Sequence, residues 1–212
     1  MTEHEPFVPH PTLEELADGN VEALARVLAR AFHDDPIQAW LFPDPASRAR
    51  RQEIMFRSEV RDLGLHHGEV GVPPSGGAVA IWYAPGRWRA TLVSQLRQSI
   101  PMMRAFGRRL LPVLPVVRTI EDVHPTEPHW YLDWVGVDPA RRGEGLSSAV
   151  IRPVLDRCDR EGLPAYLVSS KTENIPIYEH FGFRVTRQID PPGGCPPLWS
   201  MWRDPDPVPG TA

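Results

Sequence analysis

"VGVDPARRGEGLSSAVIRPVL", residues Val135 to Leu155, sets two glycines and two arginines between a β-branched run and an amphipathic helical pattern. Leu146, Val150, Ile151, Val154, Leu155 and Cys158 recur at helical spacing, which predicts a helix from about Leu146 to Glu161, ended by Gly162 and kinked at Pro153. The residues before the turn, "HWYLDWVGV", read as a central strand. Glycines between strand and helix let backbone N–H groups converge on an anion, the helix N-terminus adds partial positive charge, and arginines add formal charge. The turn therefore reads as a phosphate cradle. Two other cradles are excluded, because G-K-[ST] is absent and the third glycine and downstream acid of a dinucleotide fingerprint are missing.

Outward from this turn, "AYLVSS" reads as a buried strand, "NIPIYEHFG" as a short helix, and "FRVTRQI" and "PLWSMW" as closing strands. Upstream, Leu24, Val27, Leu28, Ala31 and Phe32 mark a helix capped by Asn20 or Asp18 and ended by "HDDP". A short segment Ile37 to Phe42 and a charged helix from Ala46 to about Leu65 precede the hairpin "EVGV", "PPSGG", "AVAIWYAP". Between Trp88 and Val123 lie one or two helices, interrupted by Pro101, Pro112 and Pro115. A weak first strand falls around Thr12 to Leu16. The mixed order implies an α/β fold of the α+β type, a largely antiparallel sheet with one parallel crossover. We divide the chain into a tail (1–12), one domain (13–204) with a helical insert (88–125), and a second tail (205–212).

The 212 residues carry 42% hydrophobic and 24% charged side chains, ordinary for a globular domain, and no apolar run approaches membrane-spanning length. The acidic, proline-rich start lacks the features of a signal peptide, so a cytoplasmic location is expected. Cys158 and Cys195 are too few for a disulfide framework and read as free thiols. A net charge of −4 argues against nucleic acid as the partner, and no membrane partner is expected. Arg87, Arg89, Arg97, Arg104, Arg108, Arg109 and Arg118 fall in a stretch without a single acid, read as a solvated helix face or a polyanion site. The eight histidines show no metal-ligand spacing, so no metal is expected. A homodimer is left open.

"VGVDPARRGEGLSSAV" followed by "NIPIYEHFGF" resembles the GCN5-related N-acetyltransferase (GNAT) superfamily, whose acetyl-coenzyme A motif is R-x-x-G-x-G/A after a strand end. "EPHWYLDWVGVDP", "GLPAYLVSS" and "PLWSMW" extend the likeness towards the puromycin N-acetyltransferase branch of small-molecule enzymes. The resemblance implies a GNAT fold, a mixed, mostly antiparallel sheet of six to seven strands flanked by helices. It also implies acetyl-CoA as cosubstrate, and acetyl transfer to a primary amine of a small molecule by direct attack in a ternary complex. On that likeness Val135, Gly136 and Val137 pair their backbone with the pantetheine arm and present an N–H to the thioester oxygen. Arg142, Gly143, Glu144, Gly145, Leu146, Ser147 and Ser148 hold the pyrophosphate, Ser147 standing where the family has glycine or alanine. Asn174 bonds the pantetheine amides or caps its own helix.

Tyr178 is the candidate proton donor to the leaving thiolate, as well as a candidate ligand of the cosubstrate; the alternative is that it packs a short helix with Ile175 and Phe181. Asp133 lies in an otherwise aromatic and aliphatic strand, where burial raises a carboxylate towards a useful range. It is a base, an acceptor-binding group or a satisfied structural acid. Asp34 and Asp35 follow the first helix, where the superfamily walls its acceptor site, and are either candidates to grip a cationic substrate or plain loop acids. Trp82 is the aromatic candidate for the acceptor pocket, among Trp40, Trp130, Trp134, Trp199 and Trp202, with core packing the default reading for most of these rings. Cys195 as a covalent relay, a non-catalytic acyl-CoA-binding module and a protein or peptide N-acetyltransferase are the rival readings.

Overall fold

The computed structural model describes residues 18–206. α1 (Asp18–Ala31), α2 (Pro36–Leu41) and α3 (Pro45–Ser58) are followed by a wider π-helical segment, Glu59–Gly64, and the single-turn α4 (Leu65–His67). β1 (Glu69–Gly71) and β2 (Ala78–Tyr83) form the hairpin, and α5 (Leu92–Phe106) and α6 (Leu110–Asp122) the insert. β3 (Trp130–Val137), α7 (Leu146–Glu161), β4 (Ala165–Ser169), α8 (Ile175–His180), β5 (Arg184–Ile189) and β6 (Leu198–Arg203) complete the described chain. The strand order is β1-β2-β3-β4-β6-β5, antiparallel throughout except between β3 and β4. The expected strand at Thr12 to Leu16 lies outside the described residues, as do the first tail and residues 207–212.

Two core layers sandwich the sheet. Leu28, Phe56, Val60, Ile81 and Tyr83 pack on the face covered by α1, α3 and the π-helical segment. Trp82, Leu132, Val150, Ile151, Val154 and Met201 pack on the face covered by α7. Gly136 lets α1 close onto β3, since a Cβ there would stand 2.9 Å from the Ala31 Cβ and 3.0 Å from a Leu28 methyl. Gly136→Val is expected to destabilise the fold by about 1–3 kcal/mol through overpacking, seen as a lower urea midpoint. An unchanged midpoint would mean that α1 can retreat without loss.

The expected interruption at three prolines is corrected. Pro101 and Pro115 lie inside α5 and α6, and the break falls at Gly107, whose φ is +53°. A surface helix can turn the carbonyl freed by proline towards water, and Pro112 occupies the first turn of α6, where its missing donor has no intrahelical use. Pro153 likewise sits within α7 without ending it. α1 starts at Asp18, so Asn20 lies inside its first turn rather than capping it. Both ends of the insert are pinned: the Trp88 ring stacks on His124 at 3.7 Å, and His124 meets His129 Nε2 to Nε2 at 3.0 Å. Burial pushes His124 down to about 3, so this pair is held as neutral rings.

Candidate active site

β3 and β4 begin as a parallel pair and then part. Their pairing covers only Trp130, Tyr131 and Leu132 of β3, whereas β3 runs on to Val137 and the end of β4 pairs with β6. On that side the main chain of Asp133 to Val137 therefore has no strand partner among the described residues. On the other side, consecutive Ile81 and Trp82 face Trp134 and Leu132, so Asp133 is the extra residue of a β-bulge. A bulge re-aims a side chain, and here it lies at the mouth of the split.

α7 starts at the far end of this opening. Its N-cap Gly145 has φ +75° and no side chain to offer, so the N–H groups of Leu146, Ser147 and Ser148 have no capping acceptor. Gly143 has φ +86°, and a Cβ on either glycine would meet nothing within 4 Å. Free donors, open space and the positive end of a 16-residue helix fit a pyrophosphate. The two arginines divide their work. Arg141 folds back to donate to the Ser75 and Gly76 carbonyls and pairs with Glu144, whereas Arg142 is exposed with no partner among the described residues. Glu144 therefore has its charge answered by Arg141. The Leu146 side chain is core.

The bulge turns Asp133 into a cluster of acids and phenols on the α1 and α3 face. Burial raises the Asp133 carboxyl to about 6, against a hydrogen bond from Tyr131 that lowers it. Glu59, at the start of the π-helical segment, is raised to about 8 by burial first and by the Asp133 charge second, while a hydrogen bond from Trp134 opposes the rise. The Tyr83 hydroxyl is buried without a hydrogen-bond partner, and burial with the charges of Asp133 and Glu59 holds it firmly protonated. At neutral pH the two carboxyls share about one negative charge, next to a donor with nothing to bind. Glu59, Tyr83 and Tyr131 escaped the sequence reading: Glu59 is one of three acids, with Glu53 and Asp62, in a helix whose charge is mostly arginine, and Tyr83 merely ends an apolar strand. The π-helical widening that aims Glu59 has no sequence signature here.

Tyr178 approaches from the other face, packed against the α7 core layer with its ring edge-on to Phe183 at 6.3 Å. Burial and then the Asp35 charge push its hydroxyl up to about 12. Asp35 is itself buried: one oxygen caps α2 through the N–H groups of Ile37 and Gln38, and the other accepts from Ser170 at the end of β4. It ties the α1–α2 turn to the split, and Asp34 beside it is exposed. Asn174 stands at the N-cap of α8 without a capping bond, so its half-buried amide is not spent on its own helix. Trp82 requires a correction: it is 1% exposed, its indole donates to the Val150 carbonyl, and it packs under α7, leaving no surface for a substrate. Cys195 is buried with its thiol pushed up to about 11, which leaves no thiolate for a covalent relay at neutral pH. Among the described residues, no group of three or more His, Cys, Asp or Glu could hold a metal ion.

A family model described as acetyltransferase (GNAT) family matches residues 115–183. An uncharacterized N-acetyltransferase of Schizosaccharomyces pombe is 31% identical over 181 residues, spanning 78% of this chain and 71% of its own length. The chain belongs to the GNAT family. This GNAT chain is an N-acetyltransferase by that relationship. It is also 29% identical over 138 residues to the glucosamine 6-phosphate N-acetyltransferase of Trypanosoma brucei brucei, over 60% of this chain and 86% of the relative. A crystal structure from Corynebacterium glutamicum, described as histone acetyltransferase HPA2 and related acetyltransferase, shares the fold with a TM-score of 0.64 and 22% identity. That likeness covers 95% of this GNAT chain and 97% of the other. No described helix is long and apolar enough to cross a membrane.

Proposed function

We propose that this enzyme transfers the acetyl group of acetyl-CoA to the primary amine of a small molecule, with both substrates bound together. The observation that carries the reading is the split between β3 and β4, open in front of the uncapped N-terminus of α7. The unpaired edge of Val135, Gly136 and Val137 offers main-chain groups to the pantetheine amides, and Asn174 has a free amide for the same arm. Gly143, Gly145, Ser147, Ser148 and Arg142 receive the pyrophosphate. Bound there, acetyl-CoA supplies an activated thioester, so no acyl-enzyme is needed once the amine is aligned.

The acid cluster supports a cationic amine as acceptor. Asp133 holds the ammonium and takes its proton, Glu59 sets the charge of the pair, and Tyr83 and Tyr131 orient what binds between them. From the opposite face the Tyr178 hydroxyl gives a proton to the leaving sulfur. A small acceptor is supported by the resemblance to the puromycin N-acetyltransferase branch and by the relative named for a small amino sugar phosphate.

Calorimetric titration tests the first step. Acetyl-CoA is expected to bind where ATP and NAD do not, and Gly145→Val to weaken that binding by about tenfold or more, because a β-branched side chain resists positive φ and would fill the open space. Absence of acetyl-CoA binding by the folded protein would overturn the reading. A panel of small primary amines against peptides then decides the acceptor, with turnover on peptides alone refuting the small-molecule assignment.

A further inference from the structure

Among the described residues, eight of the ten exposed large hydrophobic side chains lie on α5 and α6. Leu92, Leu96, Ile100 and Met103 fall within about 80° of one another around α5 at 3.6 residues per turn. Arg97 and Arg104, both exposed, follow directly on one flank of this stripe, while Ser94 and Ala105 on the far side and Phe106 at the helix end on the other flank are buried. Leu111 and Leu114 add a second exposed apolar stretch on α6. From Arg87 to Ile120 the sequence holds seven arginines and no acid, in a chain whose net charge is −4. The insert is thus an apolar face with a cationic margin, larger than the scattered apolar residues of an ordinary surface.

We propose that this face docks the enzyme onto an anionic membrane surface. An apolar stripe with arginines at its edge is the arrangement of a helix lying in the lipid interface, its aliphatic residues below the headgroups and its guanidinium groups among the phosphates. A second copy of this chain is the poorer occupant. A two-fold interface sets the patch against itself, bringing the acid-free arginine stretch of one copy onto that of the other. The expectation that no membrane partner exists rested on the absence of a spanning segment, and peripheral docking requires none.

The test uses the full chain, sedimented with vesicles of phosphatidylcholine alone or with added phosphatidylglycerol, at low and at high salt. Binding is expected only with phosphatidylglycerol and is expected to be released by salt. Arg97→Ser with Arg104→Ser should weaken partitioning by about 25-fold, near fivefold for each arginine. Leu96→Asp with Ile100→Asp should abolish it, with melting temperature and acetyl-CoA binding unchanged, since neither side chain is in the core. Failure to prefer anionic vesicles would overturn the proposal. So would a stable dimer, measured by light scattering, that the Leu96→Asp and Ile100→Asp pair dissociates, because the face would then belong to a second copy.

Discussion

Asp133→Asn is expected to lower kcat/KM for an amine acceptor by about 10²–10³-fold and, at pH 8, to raise the melting temperature. The two effects have one cause. Burial holds the Asp133 carboxyl at about 6, above its ordinary value of 3.8, so the folded state keeps a proton that the unfolded chain has already released. Stability linked to this group is full below the unfolded value and is lost as pH rises through the folded one. Glu59, raised to about 8, adds to the loss in the same direction. The amide of Asn keeps the shape without the buried charge, so the variant escapes the penalty at pH 8 and differs little from the parent near pH 4. In the parent, activity should fall as pH drops below about 6, where the base becomes protonated. Glu59→Gln serves as the comparison, retaining the limb near 6 while removing the step near 8. Scanning calorimetry at the two pH values and a kcat/KM profile check the set. A variant that melts lower at pH 8 would show Asp133 to be a satisfied structural acid, and full activity would remove it as the base.

The elements that carry strong local signals were legible in the sequence. The helix Leu146–Glu161, the strand Trp130–Val137 and the hairpin followed from periodicity and from glycines where positive φ is required, because each is decided within a few residues of chain. The glycine turn that opens α7 was legible for the same reason, although the different contacts of Arg141 and Arg142 were not, since Arg141 binds carbonyls more than sixty residues upstream. Trp82 was misplaced because strand alternation fixes which residues share a face but not which face receives which helix. Glu59 and Tyr83 were invisible. Their place beside Asp133 arises from a β3 bulge and a π-helical segment, each of which shifts register by a single residue and leaves no mark on composition. Asp35 was singled out as a substrate grip, while its side chain is occupied by the α2 cap and Ser170; its remaining influence on the site is the charge it presents to Tyr178.

Tyr178→Phe is expected to lower kcat by about 10²-fold while leaving the affinity for acetyl-CoA nearly unchanged. The substitution removes one oxygen and keeps the ring that packs edge-on to Phe183, so the α7 and α8 layer is preserved. With its hydroxyl pushed up to about 12, Tyr178 remains a donor throughout the working pH range, and any basic limb below about pH 11 belongs to another group. A leaving thiol has an ordinary value of about 8.5, so at neutral pH its departure gains from a proton, whereas at pH 9.5 it leaves largely as thiolate without help. The deficit of the variant should therefore shrink as pH rises, a dependence that a packing role does not produce. Single-turnover rates at pH 7 and 9.5, with acetyl-CoA affinity measured calorimetrically beside them, separate the cases. Unchanged kcat at both pH values would make Tyr178 a core residue of the short helix. A fall in cosubstrate affinity matching the fall in rate would instead make its hydroxyl a binding group, and the proton for sulfur would then have to come from water.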